Sequence, residues 1–170
     1  CIRRVTDESG KVLYERAEEK RRVFSEETSY LLSDMLHTAA TEGTAKKLRT
    51  LPYFVSAKTG TGGTEKGNTD AYAVGYTSEH TLGVWLGNSD NSPISATGGG
   101  EPANELYALF KALYKERTPE AFARPEGVVE AALDKEEYEN RHRLVLADPM
   151  APAALTKKEL FSAAHLPQTV

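Results

Sequence analysis

The chain has 170 residues, 39% of them hydrophobic and 27% charged, with a net charge of −4. That is enough for one domain with a real core, or two small ones, and it argues against wholesale disorder. No basic block suits nucleic acid or an anionic membrane surface. No apolar run nears the ~20 residues of a transmembrane helix, and the one cysteine, Cys1, leaves no internal disulfide and no cysteine metal site.

Cys1 admits a lipid-modified start or a cut end. Because Ile2-Arg3-Arg4-Val5 follows directly and reads as strand rather than tether, and no signal peptide is present, the expectation is a piece of something longer. Ile2 to Thr6 and Lys11 to Arg16 flank Asp7-Glu8-Ser9-Gly10, the pattern of a β-hairpin. Ser25 reads as an N-cap with Glu26 and Glu27 in the first turn. Leu31, Leu32, Met35, Leu36, Ala39 and Ala40 recur at helical spacing, and Gly43 serves as the stop. This helix, roughly 26 to 42, is expected to pack its apolar stripe on a sheet, with His37 at an edge or facing solvent.

The stretch Val55-Ser56-Ala57-Lys58-Thr59-Gly60-Thr61-Gly62-Gly63 follows an apolar lead opened by Pro52. Residues 62–68 read as a flexible polar turn. Asp70 to Tyr76 and Thr81 to Gly87 are two further strands, and short loops make all three antiparallel neighbours. Tyr72 and Tyr76 share one face, expected to lie under a helix, and Trp85 is expected in the core. A polar loop, Asn88 to Gly100, leads into a helix opened by Glu101-Pro102 and striped by Leu106, Leu109, Phe110 and Leu113. Thr118 to Gly127, with two prolines and a glycine, is a boundary. Val128 to Leu133 and Arg143 to Leu146 read as short strands around an acidic turn or short helix. Thr156-Lys-Lys-Glu159 has capping-box spacing, which predicts a last short helix before a tail. The expected fold is of the α+β type, an antiparallel sheet flanked by helices, divided at 1–118 and 119–170.

Lys58-Thr59-Gly60-Thr61 is open to three readings. A phosphate cradle requires glycine directly before the lysine and another five residues earlier; Ala57 and Pro52 stand there, so it fails. The segment is otherwise plain strand and turn, or a strand edge that binds anions and acyl groups. In the last case Lys58 supplies charge, Thr59 and Thr61 supply hydroxyls, Gly60 admits close approach, and an edge N–H serves half an oxyanion hole.

Lys-Thr-Gly is one of three short motifs of β-lactamases and penicillin-binding proteins. Together with Thr69-Asp70-Ala71-Tyr72-Ala73-Val74-Gly75-Tyr76-Thr77 and Leu82-Gly83-Val84-Trp85-Leu86-Gly87, it closely resembles the transpeptidase domain of class A (bifunctional) penicillin-binding proteins. The likeness is strongest from about 28 to 115. It implies the β-lactamase/transpeptidase-like fold and serine acyl transfer on D-Ala-D-Ala stem peptides. It also implies roles: Lys58 in electrostatic and proton-network support, Thr59, Gly60 and Thr61 with Lys58 in substrate or β-lactam binding, and the Thr61 N–H as oxyanion donor. No cofactor and no metal are implied; His37, His80, His142 and His165 are scattered.

The sequence departs from the family pattern in one decisive way. No serine has lysine three residues on, so the nucleophile motif Ser-x-x-Lys is absent. Thr44-Ala45-Lys46-Lys47 would need threonine as nucleophile and reads as solvated surface. Ser89-Asp90-Asn91 spells the family's second motif but follows Lys58, out of order, and reads as a turn. The expectation is therefore the C-terminal part of a transpeptidase domain that is inactive alone and partnered by its N-terminal half. The parent would be anchored in the membrane of a bacterium and work on its extracytoplasmic face, this chain itself making no membrane contact. The alternatives are a non-catalytic module that binds wall peptide or a partner, and a fragment of a serine β-lactamase.

Overall fold

The computed structural model describes residues 2–17 and 21–169; Cys1, on which the anchor reading turns, lies outside them. The opening hairpin is present as β1 (Arg4–Thr6) and β2 (Val12–Glu15), and both strands are exposed. The Asp7 carboxylate accepts from the N–H groups of Ser9 at 2.9 Å and Lys11 at 3.0 Å, closing the turn, while Gly10 takes the left-handed φ of +84°.

Helix α1 spans Glu26–Thr41, with the Ser25 hydroxyl accepting from the Thr28 N–H at 3.1 Å. Its packing differs from the expected apolar stripe. Leu32 is 49% and Met35 68% exposed, whereas Ser33 and Ala40 are buried. Hydrogen bonds knit this helix to the sheet: the Ser56 hydroxyl donates to the Ser33 carbonyl at 2.7 Å, and the Ser33 and Tyr76 hydroxyls meet at 2.9 Å. His37 is half-buried rather than solvent-facing. Its Nδ1 lies 2.9 Å from the Val55 carbonyl, and its ring stacks on Phe54 with centroids 4.0 Å apart. After Gly43 the chain turns through a short 3₁₀ segment, Lys46–Thr50, pinned by buried Ala45 and Leu48.

The central sheet is antiparallel, in the order β3 (Ser56–Thr64), β4 (Gly67–Tyr76), β5 (Thr81–Gly87). The strands run longer than expected. The turn shrinks to Glu65 and Lys66, because Gly67 takes φ +131° and a bulge at Gly62/Gly63 absorbs the twist. Side chains alternate across β4: Ala71, Ala73 and Gly75 are buried, and Tyr72 and Val74 are exposed. On the buried side lies α2 (Glu101–Leu113), whose Ala103, Leu106 and Phe110 complete the core with Ala57, Val55 and Leu48. A Cβ at Gly75 would stand 3.0 Å from the Phe110 ring, so glycine there lets helix and sheet approach closely. Tyr76 does sit beneath α1, but Tyr72 does not. Trp85 is 49% exposed rather than core, because it shares the face of Tyr72, to which it is paired across β4 and β5.

The remaining chain forms a second sheet, in the order β8 (Thr156–Ser162), β6 (Val128–Asp134), β7 (Val145–Leu146), β9 (Gln168–Thr169), with helix α3 (Lys135–Arg141) between β6 and β7. Thr156-Lys-Lys-Glu159 is thus a strand, not a helix start. The Thr156 hydroxyl donates back to the Ala153 carbonyl, and residues 156–162 pair in full register with β6, a tertiary partner that outweighs a local capping pattern. Asp134 is the actual cap, accepting from the Glu137 N–H at 3.0 Å. Gly127, just before β6, lies against Glu27: a Cβ there would be 2.8 Å from its carboxylate. The class is α+β, antiparallel sheets with helices apart from the parallel pairing of β7 with β9. Among the described residues no helix is long and apolar enough to cross a membrane.

Candidate active site

Strand β3 lies at the edge of its sheet and pairs only with β4 among the described strands. It therefore presents a row of backbone donors and acceptors. Alternation sends Lys58 and Gly60 to the face shared with Tyr72 and Val74, and Thr59 and Thr61 to the opposite face. Lys58 is exposed, and its ammonium reaches back to the Thr59 carbonyl at 2.6 Å. Gly60 sits beneath Tyr72, to whose Cβ a side chain would come within 3.8 Å.

The two threonines differ. Thr59 is 8% exposed, and its hydroxyl meets that of Thr44 at 2.5 Å. Thr61 is exposed; its hydroxyl oxygen accepts from the Gly98 N–H at 3.0 Å, so its own proton stays available. Sequence reasoning missed both partners. Thr44, read as solvated surface, buttresses the Lys-Thr-Gly strand from the turn after α1. Gly98 is buried over the β3–β4 pair, where a Cβ would fall 2.4 Å from the carbonyl oxygens of both Gly60 and Tyr72. The run Gly98-Gly99-Gly100 was the available signal.

The face beside Lys58 carries Asp70. Asp70 accepts from the Trp85 indole N–H at 2.9 Å, from the Thr69 hydroxyl at 2.8 Å and from the Tyr72 hydroxyl at 3.4 Å. Those donors, the indole first, hold its carboxyl below the ordinary carboxylate range. Ser89-Asp90-Asn91 forms the turn expected of it: Asn91 takes φ +56°, its N–H bonds the Asn88 carbonyl, and Asp90 accepts from the Ser92 N–H.

Strand β3 thus combines, at one sheet edge, a lysine, a glycine and a hydroxyl that keeps its own proton, backed by a glycine-tight helix–sheet contact. The family described as the penicillin-binding protein transpeptidase domain matches residues 4–114. The chain belongs to that family. Its relatives include penicillin-binding protein 1A/1B of Bacillus subtilis, 28% identical over 159 residues, which are 86% of this chain and 17% of that protein. Penicillin-binding protein 1B of Vibrio cholerae is 30% identical over 125 residues, 74% of this chain and 15% of that protein. The class A likeness drawn from the sequence is borne out by these relatives, and the chain spans less than a fifth of the length of either. Among solved structures, the penicillin-binding protein PonA1 of Mycobacterium tuberculosis shares the fold, with a TM-score of 0.55 at 22% identity over 72% of this chain and 35% of that one. The fold shared with that structure combines helices with antiparallel sheets.

Proposed function

We propose that this chain is the C-terminal part of a serine-type D,D-transpeptidase, residues 1–118 carrying the Lys-Thr-Gly wall of its active site and residues 119–170 an accessory unit. The observation that carries the proposal is the edge position of Lys58, Gly60 and Thr61 on one strand. The Thr61 hydroxyl proton takes the terminal carboxylate of a D-Ala-D-Ala stem peptide, or that of a β-lactam, at the strand edge, and the Lys58 ammonium, on the other face of β3, supplies positive charge and proton-network support beside the reacting carbonyl. Gly60 leaves room for the extended peptide to pair with β3. Capping of the Thr59 carbonyl by Lys58 fits a strand whose odd residues turn their backbone groups outward, so the Thr61 N–H faces the cleft. There it donates to the carbonyl oxygen as charge develops on it. Thr59 acts from behind, fixing the strand through Thr44.

The attacking serine comes from a Ser-x-x-Lys segment that this chain does not contain. The serine oxygen adds to the stem-peptide carbonyl and the terminal D-alanine leaves with a proton. An amine of a second stem peptide then displaces the serine. The partner of this chain is accordingly the rest of the transpeptidase domain, working on the extracytoplasmic side of a bacterial envelope. The small share of each relative that the chain spans supports this, as do the uncovered apolar side chains of α1.

A fluorescent penicillin tests the proposal. The chain alone should show no covalent band, and adding or co-expressing the preceding part of the domain should restore one. In the intact domain, Lys58→Ala should slow acylation by about 10²–10³. A covalent band from the isolated chain would refute the fragment reading. No band after recombination would point instead to a binding module without catalysis.

A further inference from the structure

Three cations, Lys46, Lys47 and Arg49, fall within one four-residue run, and folding sets them against α2. From Gly43 to Thr64 the chain carries Lys46, Lys47, Arg49 and Lys58 and no acidic residue, although the whole chain is net negative. The 3₁₀ segment brings Lys46, Lys47 and Arg49 to one side, where with Thr50 and the α2 residues Asn104 and Tyr107 they line a groove of about 480 Å³. Lys111, outside that lining, lies one turn further along α2 with its Nζ 5.9 Å from the Tyr107 ring centroid.

Three features mark this groove as more than a solvated face. First, among the described residues Lys46, Lys47 and Arg49 take part in no ion pair, whereas Arg117, Arg141, Lys157 and Lys158 each face a carboxylate. Second, the segment is anchored from beneath by Ala45 and Leu48, 0% and 3% exposed, so the three cations stand on a fixed backbone. Third, the opposite wall is polar and rigid, an amide and a phenol one helical turn apart. The volume falls in the range of small-ligand sites.

We infer that this groove binds a phosphate-bearing anion. A carboxylate would leave most of the positive charge uncompensated. A phosphate or pyrophosphate carries two or more charges and spreads its oxygens in three dimensions, matching point-charge lysines beside a forked guanidinium. Thr50, Asn104 and Tyr107 supply neutral donors that orient it. The site is separate from the Lys-Thr-Gly wall: it begins two residues after Thr44, behind the strand face that carries Thr59. The same chemistry is offered by a soluble phosphate compound and by an anionic lipid headgroup.

The test titrates the full chain with pyrophosphate at low ionic strength, read by calorimetry or amide shifts of Asn104 and Tyr107. In parallel, the chain is sedimented with vesicles of phosphatidylglycerol in phosphatidylcholine, against phosphatidylcholine alone. Saturable pyrophosphate binding is expected, lost at high salt and weakened about tenfold or more by K46Q/R49Q. These positions are exposed, so the variant keeps the parent's circular dichroism; N104A and Y107F, on the opposite wall, give a second independent loss. Vesicle binding that the same variants abolish assigns the site to a headgroup. Pyrophosphate binding without vesicle binding assigns it to a soluble ligand. The inference is overturned if neither probe binds saturably, if the groove variants bind as the parent does, or if K58Q alone removes binding, which would place the anion on β3.

Discussion

At the residue scale, the candidate site depends on contacts too close to admit a side chain. Gly98 is the sharpest case. Its N–H holds the Thr61 hydroxyl, and a Cβ would overlap two backbone oxygens that cannot move without opening the β3–β4 ladder. Gly98→Ala is expected to cost about 3 kcal/mol in urea denaturation. Gly62→Ala, whose nearest neighbour would be the Asp70 Cβ at 3.6 Å, should stay within about 0.5 kcal/mol of the parent. Equal midpoints for the two variants would remove the close-approach argument. Lys58 to Thr61 was legible in the sequence because the motif is contiguous and its chemistry is local. Thr44 and Gly98 were not, since they reach the same strand across 15 and 37 residues of chain, and only the packing of helix and loop brings them there.

At the element scale, local signals held where nothing stronger competed. Ser25, Glu26 and Glu27 start α1 as capping chemistry requires, and the three central strands pair as their short loops demand. They failed at Thr156, where β6 offered seven paired residues, and on α1, whose sheet-facing side is fixed by Ser33 rather than by leucines. The turn between β4 and β5 shows how a polar contact fixes an element. The Glu79 carboxylate takes both Nη atoms of Arg117 and the Glu120 N–H, clamping the turn to the chain that leaves α2. Arg117, then the Glu120 N–H, lowers the Glu79 pKa from 4.5 to about 2. A carboxyl whose folded value is depressed stabilises fully above its unfolded value and stops doing so as pH falls through the folded one. Glu79→Gln should therefore melt lower than the parent at pH 7. The gap should narrow below about pH 4.5 and vanish near pH 2. A gap that stays constant over that range in thermal melts would mean the clamp is not ionic.

At the scale of the whole molecule, the distribution of apolar surface tells against a finished globule. The core joins α2, the 3₁₀ segment and one face of the central sheet. The opposite side leaves Leu32 and Met35 of α1 exposed, with Tyr72, Val74 and Trp85 on the sheet. A mostly apolar hollow of about 290 Å³ lies between α1 and the sheet, lined by Phe24, Leu32 and Tyr76 among others. Scattered apolar side chains on a surface need no cause, but large ones on adjoining elements mark an interface. Lys58 belongs to the same uncovered sheet face, so under the proposed function the segment that completes the cleft passes over it. Met35 separates the possibilities because it is 68% exposed and lies outside the core cluster. In this chain, Met35→Glu replaces one solvated side chain by another and should shift the melting temperature by no more than about 2 °C. In the intact domain, if the preceding part lies on α1, the same substitution buries an unpaired carboxylate and should cost about 3 kcal/mol or more. Equal, small shifts in both proteins would show that α1 stays bare in the assembled enzyme, and the partner would then have to reach Lys58 from the free edge of β3 alone.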